Sequence, residues 1–198
     1  MAKLYFKYGA MGCGKTREIV KVWHNYKDKQ RRAVIMKSTK DTKGGKNIKS
    51  RDNSELPVDF LITKDDNIYQ IISMYIIDNI VDVILVDEAE FLTEQQIQEL
   101  ADIVDELGIP VMCFGLKTDF QDKLFPGSAA LFAKADDIEK MKTICICGKE
   151  AECNVRFVDG KPVFEGEQVA IDGENKTTYE SMCRKCRKKL YKEWKGRK

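Results

Sequence analysis

The chain has 198 residues, of which 33% are charged and 43% hydrophobic, and its formal net charge is +2. This length suffices for one domain with a sizeable core and a small appendage, and the near balance of charge argues against a polycation built for nucleic acid. No apolar run approaches the length of a membrane span and no signal peptide follows Met1, so we expect a cytoplasmic protein without membrane contacts.

The N-terminal segment has the pattern of a strand followed by a phosphate-binding loop. Residues 4–6 are typical of a buried strand, and residues 9–16, GAMGCGKT, have the form G-x-x-x-x-G-K-T. Glycines in such a loop turn backbone N–H groups toward a polyphosphate, while Lys15 reaches the β and γ phosphates and the Thr16 hydroxyl binds Mg²⁺. Apolar residues at helical spacing from Ile19 to Tyr26 predict the helix that follows. The predicted nucleotide-binding residues are Gly9, Ala10, Met11, Gly12, Cys13, Gly14, Lys15 and Thr16.

The next segment joins a short strand to a polar stretch. Residues 33–36 predict the second strand, and residues 60–63 predict another. Between them, residues 37–54 are rich in Lys, Ser and Gly; the pair Gly44–Gly45 can tip a hairpin, but we favour a mobile solvated loop. One cation of this stretch can close over the phosphates, and the candidates are Lys40, Lys43, Lys46 and Arg51.

The middle of the chain alternates helix and strand patterns. Residues 68–76 carry an apolar stripe at helical spacing, and residues 83–86 form the continuous apolar run of a strand buried on both faces. Thr93 and Gln96 form a capping box for a helix that ends at Gly108, and residues 111–114 predict the next buried strand. This alternation predicts an α/β fold of the P-loop NTPase type, with a RecA-like parallel sheet flanked by helices.

Two acidic residues, Asp87 and Glu88, directly follow the predicted strand at residues 83–86. The carboxyl ends of parallel strands share one edge of the sheet with the P-loop, so Asp87, together with Thr16, can hold Mg²⁺ there. Glu88 points elsewhere and can take the proton of an attacking hydroxyl or water. The alternative is that both acids only cap the next helix, and we interpret Glu90 as a local polar contact rather than a catalyst. We assign to the nucleotide site the segment Asp87, Glu88, Ala89 and Glu90.

Four of the seven cysteines form two close pairs separated by a long segment: Cys145, Cys147, Cys183 and Cys186. In a cytoplasmic protein the pattern C-x-C…C-x-x-C predicts a structural zinc site with four thiolate ligands. The first pair is one residue shorter than C-x-x-C, so Cys153 is an alternative ligand, and reduced thiols in a loose loop are the alternative to a metal. The composition changes around Lys142, and we therefore expect an ATP-binding α/β domain at residues 1–142, a zinc domain at 143–192 and a basic tail at 193–198.

The chain resembles the type II, or cytosolic-type, thymidine kinases, especially a bacterial branch of them. The stretches that carry the resemblance reach to about Trp194 and are KLYFKYGAMGCGKT, VILVDEAEFLT, GIPVMCFGLKTDFQDKLFPGS, KTICICGKEA, EGEQVAI and YESMCRKC. The resemblance implies transfer of the γ-phosphate of ATP to the 5′-hydroxyl of thymidine, with Asp87 serving Mg²⁺ and Glu88 as the catalytic base. It also implies a homotetramer and feedback inhibition by dTTP.

The resemblance further implies where thymidine binds. The residues that would line the thymine pocket are Met11, Phe91, Leu116 and Phe120. The cysteine-bearing segment is similar to the family's lasso, a zinc-tethered loop that closes over the nucleoside and reads the base through backbone groups. In this chain the lasso residues would be Val169, Ala170, Ile171 and Gly173, with Tyr179 packing nearby.

A second hypothesis is an ATP-driven protein that acts on nucleic acid through a zinc module. The segment DEAE is superficially similar to the acidic motif of helicases, and residues 184–198 are strongly basic. Against it, the sequence has one P-loop, no room for a second motor domain and no basic stripe across the main domain. We therefore expect ATP and thymidine as ligands, and no nucleic acid.

Overall fold

The computed structural model describes residues 1–40, 45–49, 54–168 and 177–196. Its strands are β1 (Leu4–Gly9), β2 (Ala33–Ser38), β3 (Asn47–Lys49), β4 (Glu55–Pro57), β5 (Phe60–Ile62), β6 (Val83–Asp87), β7 (Val111–Leu116), β8 (Asp137–Met141), β9 (Cys153–Val158), β10 (Lys161–Val163) and β11 (Thr177–Met182). Its helices are α1 (Lys15–Asp28), α2 (Ile68–Asp78), α3 (Glu94–Leu107), α4 (Pro126–Lys134) and α5 (Arg184–Lys195), with one 3-10 turn at Ala89–Phe91. Within these described ranges, no helix is both long and apolar enough to span a bilayer.

Six strands form one parallel sheet in the order β5-β2-β6-β7-β1-β8. Every residue of β2 and β6 is buried, as expected for strands covered on both faces. Alternate residues of these strands enter two cores, one beneath α1 and one beneath α2, α3 and α4. The predicted α/β fold, a parallel sheet flanked by helices, is therefore confirmed.

The sheet brings the P-loop and the acidic segment to the same edge. In the parallel register of β1 and β7, Gly9 lies opposite Leu116, so both strands end together. The neighbouring strand β6 ends at Asp87, and α1 begins at Lys15, within the P-loop motif. This edge is where parallel α/β sheets bind their ligands.

The predicted start and end of α3 are confirmed. The Thr93 hydroxyl accepts a hydrogen bond from the Gln96 backbone N–H, and the Gln96 side chain accepts one from the Thr93 N–H, which completes the capping box. Gly108 ends the helix with a φ of +68°, a conformation that glycine adopts without strain. Helix α4 and the edge strand β8 were not among the elements predicted from the sequence.

Within the polar stretch at residues 37–54, the described residues 47–49 form a strand where a mobile loop was expected. Asn47–Lys49 pairs in antiparallel fashion with Glu55–Pro57, and Ile48 and Leu56 are buried in the core beneath α1. Lys49 pairs with Glu55, so these two strands are joined through residues 50–54, and the predicted hairpin tip at Gly44–Gly45 lies partly outside the described residues. The apolar side chains of Ile48 and Leu56 give this hairpin a buried face, which a solvated loop would lack.

The cysteine-bearing segment contains a separate antiparallel sheet, in the order β10-β9-β11, and helix α5. It has its own small apolar cluster, formed by Cys145, Ala151, Val155, Phe164, Met182 and Cys183. Helix α5 continues to Lys195, so it extends past the expected start of the basic tail at residue 193.

Candidate active site

A cleft of about 370 Å³ opens at the carboxyl edge of the parallel sheet. It lies between the P-loop, the end of β6, the end of β7 and strand β11. The residues that line it are Met11, Gly12, Gly14, Lys15, Thr16, Arg17, Lys49, Glu88, Leu116 and Tyr179. The structure therefore brings together the predicted P-loop, the predicted base and three of the predicted nucleoside-binding residues.

The P-loop has the backbone geometry that its glycines permit. Gly12 and Gly14 have φ values of +77° and +89°, and Gly14 is the residue from which α1 begins. A side chain on Gly9 would clash, because its Cβ would lie 2.5 Å from Cys13 Sγ and 2.6 Å from the carbonyl oxygen of Met141. Both features support a tight turn of backbone N–H groups ahead of the helix N-terminus, the arrangement that binds polyphosphate.

Asp87 is a buried carboxyl group in strongly polar surroundings. Burial, and then the negative charge of Glu88, raises the pKa of Asp87 to about 7, against the opposing effects of Lys15 and Lys37. A carboxylate crowded by another acid in this way is stabilised by a cation. Mg²⁺ prefers one or two carboxylates and oxygen ligands at a phosphate site, and its assignment to Asp87 and Thr16 stays a prediction.

Glu88 lines the cleft in an uncommon backbone conformation. Its φ of +50° places it in the left-handed region, which is costly for a residue other than glycine and is concentrated at functional sites. The Glu88 N–H donates to Asp87 Oδ1 at 3.0 Å, and the 3-10 turn begins at the next residue. The strained backbone thus turns the two neighbouring carboxylates in different directions, with Glu88 toward the cleft.

Ala89 and Glu90 lie beneath the cleft, and both are 0% exposed. Among the described residues, neither carboxyl oxygen of Glu90 makes a hydrogen bond of normal geometry, and Glu88 is the polar side chain that affects it most. Burial, followed by the negative charge of Glu88, raises the pKa of Glu90 well above its usual range. A Cβ on Gly115 would lie 2.8 Å from Glu90 Oε2, so only glycine at this position leaves room for the carboxyl group.

The raised pKa of Glu90 predicts how a neutral isostere changes stability with pH. The folded protein keeps the Glu90 proton at pH values where the unfolded chain has lost it, so stability falls as pH rises above about 4.3, the pKa of an unperturbed glutamate. We expect Glu90→Gln to raise the unfolding temperature by about 3 °C more at pH 8 than at pH 5. Calorimetry at both pH values measures the difference. The exposed Glu94→Gln is the control, and an equal effect of Glu90→Gln at both pH values contradicts a buried neutral carboxyl.

The other residues that were predicted to bind the nucleoside are not among those that line the cleft. Phe91 packs edge-on against Phe125, with ring centroids 5.5 Å apart. Phe120 is 1% exposed and lies beneath the guanidinium group of Arg156. The four predicted lasso residues lie outside the described residues: Val169, Ala170, Ile171 and Gly173.

Three residues at the site were missed by the sequence analysis. Arg17 and Lys49 line the cleft, whereas the candidate cations Lys40 and Lys46 are exposed away from it, and Lys43 and Arg51 lie outside the described residues. Asn154, on β9, accepts a hydrogen bond from the Met11 N–H at 2.8 Å, and its amide group donates to the Thr118 carbonyl oxygen at 3.4 Å. Arg17 follows the P-loop motif directly, but Lys49 and Asn154 had no local signal because only the tertiary fold brings them here.

Four cysteines form a cluster that can hold a metal ion: Cys145, Cys147, Cys183 and Cys186. Their Sγ atoms all lie within 4.8 Å of one another, and those of Cys147 and Cys183 are 3.6 Å apart. The ligands of a tetrahedral zinc–thiolate site are about 3.8 Å apart, because each Zn–S bond is about 2.3 Å long. The alternative ligand Cys153 is not part of the cluster; it is buried in β9, where burial raises its thiol pKa to about 11.

The electrostatics of the cluster also favour a cation. Hydrogen bonds from backbone N–H groups lower the pKa of Cys145 to about 6, whereas the other three thiols raise the pKa of Cys186 to about 12. Crowding of the sulfur atoms opposes ionisation of the Cys186 thiol, and a divalent metal relieves this opposition. The first pair sits on a turn closed by the Gly148 N–H, which donates to the Cys145 carbonyl oxygen at 2.8 Å, and the second pair begins α5.

Comparison with known proteins gives a consistent set of similarities. The family model described as thymidine kinase matches residues 2–187. The thymidine kinase of Lactiplantibacillus plantarum is 48% identical over 189 residues, which cover 93% of this chain and 94% of that protein. The thymidine kinases of Francisella tularensis subsp. holarctica and Streptococcus pyogenes serotype M3 are 41% and 45% identical, and each alignment covers 93% of this chain and 96% of the relative.

Proposed function

The chain belongs to the thymidine kinase family, and from this membership and the geometry of the cleft we propose that it transfers the γ-phosphate of ATP to the 5′-hydroxyl of thymidine. The products are dTMP and ADP. The observation that carries the proposal is that a single cleft joins the P-loop, Glu88 and Tyr179. A phosphate cradle, a carboxylate and an aromatic side chain are what phosphoryl transfer to a nucleoside alcohol requires.

Each residue of the cleft has a proposed role in the transfer. Backbone N–H groups of residues 9–16 bind the phosphates, and Lys15 offsets the charge that develops on the transferring group. The 5′-oxygen of thymidine attacks the γ-phosphorus, and Glu88 accepts the proton that this oxygen loses. The bond between the γ-phosphorus and the oxygen that bridges it to the β-phosphate breaks. Mg²⁺ would be held by Asp87 and Thr16, and it supplies charge neutralisation at the β and γ phosphates.

The nucleoside would bind at the opposite side of the cleft. Met11, Leu116 and Tyr179 line this side, and Phe91 and Phe120 are proposed to complete the thymine pocket. The lasso residues 169–173 would read the base through their backbone groups.

We also propose residues 1–142 as the ATP-binding domain, 143–192 as the zinc-bound lasso domain and 193–198 as a basic tail. The separate sheet and apolar cluster of the second segment support this division.

We propose that the four-cysteine cluster binds a structural zinc ion. The distances between its sulfur atoms support this assignment, and so do the lowered pKa of Cys145 and the raised pKa of Cys186. A Cys₄ site leaves no open coordination position, so the metal would hold the segment in place rather than take part in chemistry. All seven cysteines are free thiols, which suits the reducing cytoplasm that we propose as the location.

Assembly and regulation follow from the family resemblance. We propose a homotetramer, for which the strongly exposed Met74 and Ile77 on α2 provide apolar surface that a partner can cover. We further propose inhibition by dTTP, because the triphosphate of thymidine carries groups suited to both sides of the cleft.

One assay tests the proposed function. The purified protein is incubated with ATP, Mg²⁺ and a panel of nucleosides, and 5′-monophosphates are separated by chromatography. We expect dTMP from thymidine and no product when Mg²⁺ is chelated. ATP hydrolysis stimulated by nucleic acid, without phosphorylation of any nucleoside, would contradict the proposal and favour an ATPase that acts on nucleic acid.

A further inference from the structure

Arg156 is a buried cation at the centre of the cysteine-bearing segment. It lies on β9 and is 4% exposed. Its Nη1 donates to the Glu167 carbonyl oxygen at 2.8 Å and its Nη2 to the Gln168 carbonyl oxygen at 2.9 Å. Its Nε donates to the Tyr179 hydroxyl at 2.8 Å, and the guanidinium carbon lies 3.7 Å from the centre of the Phe120 ring.

These partners do not include a carboxylate within the part of the chain that the structure describes. Burial of a guanidinium group is costly, and an ion pair is the usual compensation. Arg156 is instead compensated by two carbonyl oxygens, a phenol oxygen and the face of an aromatic ring, all of which depend on its planar, forked shape. Its role is therefore to fix the relative positions of separate segments.

Arg156 joins three segments, one of which lines the cleft through Tyr179. The first contains Phe120, the second is the chain entering residues 169–176, and the third is β11 with Tyr179. The first two are also linked directly, because Gln121 Nε2 donates to the Gly166 carbonyl oxygen at 2.9 Å and Gln168 Nε2 donates to Asp119 Oδ2 at 3.1 Å. Arg156 thus contacts two segments that are already hydrogen-bonded to each other, and it connects both of them to β11.

We propose that Arg156 is a positioning residue for thymidine: it holds the rings of Phe120 and Tyr179 and the backbone that leads into residues 169–176. This inference rests on the proposed function. Arg156 does not touch the reacting atoms, because it reaches the cleft only through Tyr179. Its loss should therefore weaken nucleoside binding while the P-loop continues to bind ATP.

The test uses Arg156→Lys and Arg156→Met in the full chain. Lysine keeps the charge but cannot serve two carbonyl oxygens and a phenol in one plane. Since hydrogen bonds to charged groups are individually strong, we expect the thymidine KM to rise about 10-fold in Arg156→Lys and about 100-fold in Arg156→Met. The ATP KM should stay within about twofold, and metal content by elemental analysis should stay unchanged.

Two further variants make the result specific. Tyr179→Phe removes only the oxygen that accepts from Nε, so it should give a smaller rise in thymidine KM even if Arg156→Met does not fold. Arg31→Met is the control, because Arg31 pairs with Asp82 on the exposed surface.

The outcomes are distinguishable. A wild-type thymidine KM in Arg156→Lys and Tyr179→Phe would overturn the inference, and so would a parallel loss of thymidine binding, ATP binding and metal, which indicates only a structural role. If the wild-type protein phosphorylates no nucleoside, the proposed function fails and this inference fails with it.

Discussion

Glu88→Gln is expected to lower kcat for thymidine phosphorylation by about 10²- to 10⁴-fold, the range that positioned general bases contribute. Glutamine has nearly the same shape but cannot accept the proton of the 5′-hydroxyl. ATP binding should be unchanged, because the phosphates are held by the P-loop and not by this carboxylate. Single-turnover kinetics with saturating ATP measures the loss, and equilibrium titration with ATP measures the binding.

The control for this variant is Glu94→Gln. Glu94 is an exposed glutamate in the first turn of α3, six residues along the chain, and its substitution should leave kcat unchanged. Full turnover in Glu88→Gln would remove Glu88 from the role of base. A parallel loss of ATP affinity would instead indicate that the strained backbone at Glu88 supports the P-loop.

Cys183→Ser is expected to reduce the bound zinc from about one ion per chain to almost none, because the cluster would retain three of its four thiolates. The apolar cluster of this segment is small, and zinc contributes on the order of 10 kcal/mol to folding in small zinc domains. We therefore expect the thymidine KM to rise by more than about 10-fold, the lower end of the effects seen when a metal site is disturbed. Elemental analysis and initial rates measure the two effects.

Cys153→Ser is the matched control, because Cys153 is a buried cysteine of the same segment that lies outside the cluster. It should keep its zinc and lose only a little stability. Unchanged metal content in Cys183→Ser would refute the site. Loss of metal in Cys153→Ser, but not in Cys183→Ser, would restore Cys153 as a ligand.

The sequence predicted the features that have local causes. The P-loop, the buried run at Val83–Asp87 and the capping box at Thr93 each depend on residues close together in the chain, and the structure places all of them as expected. The grouping of the four cysteines was also predicted, but only the fold shows that Cys145, and not Cys153, belongs to the cluster.

The features that the sequence did not reveal depend on long-range contacts. Strand β8 has the sequence DIEKM, whose charges and exposed Ile138 lack a strand pattern, and it forms only because β1 offers a free edge. The positions of Lys49 and Arg156 are similarly invisible, since their neighbours come from distant segments. Composition alone does not show that a lysine in a polar stretch lies beside a phosphate loop.

The hydrogen bond between Met11 and Asn154 spans 143 positions of the sequence and joins the P-loop to strand β9 of the antiparallel sheet. One amide of the loop is thus occupied by the protein itself. Any displacement of β9 on nucleoside binding would change this hydrogen bond and thereby the P-loop. We therefore expect the binding of the two substrates to be linked, so that each changes the affinity for the other by the same factor.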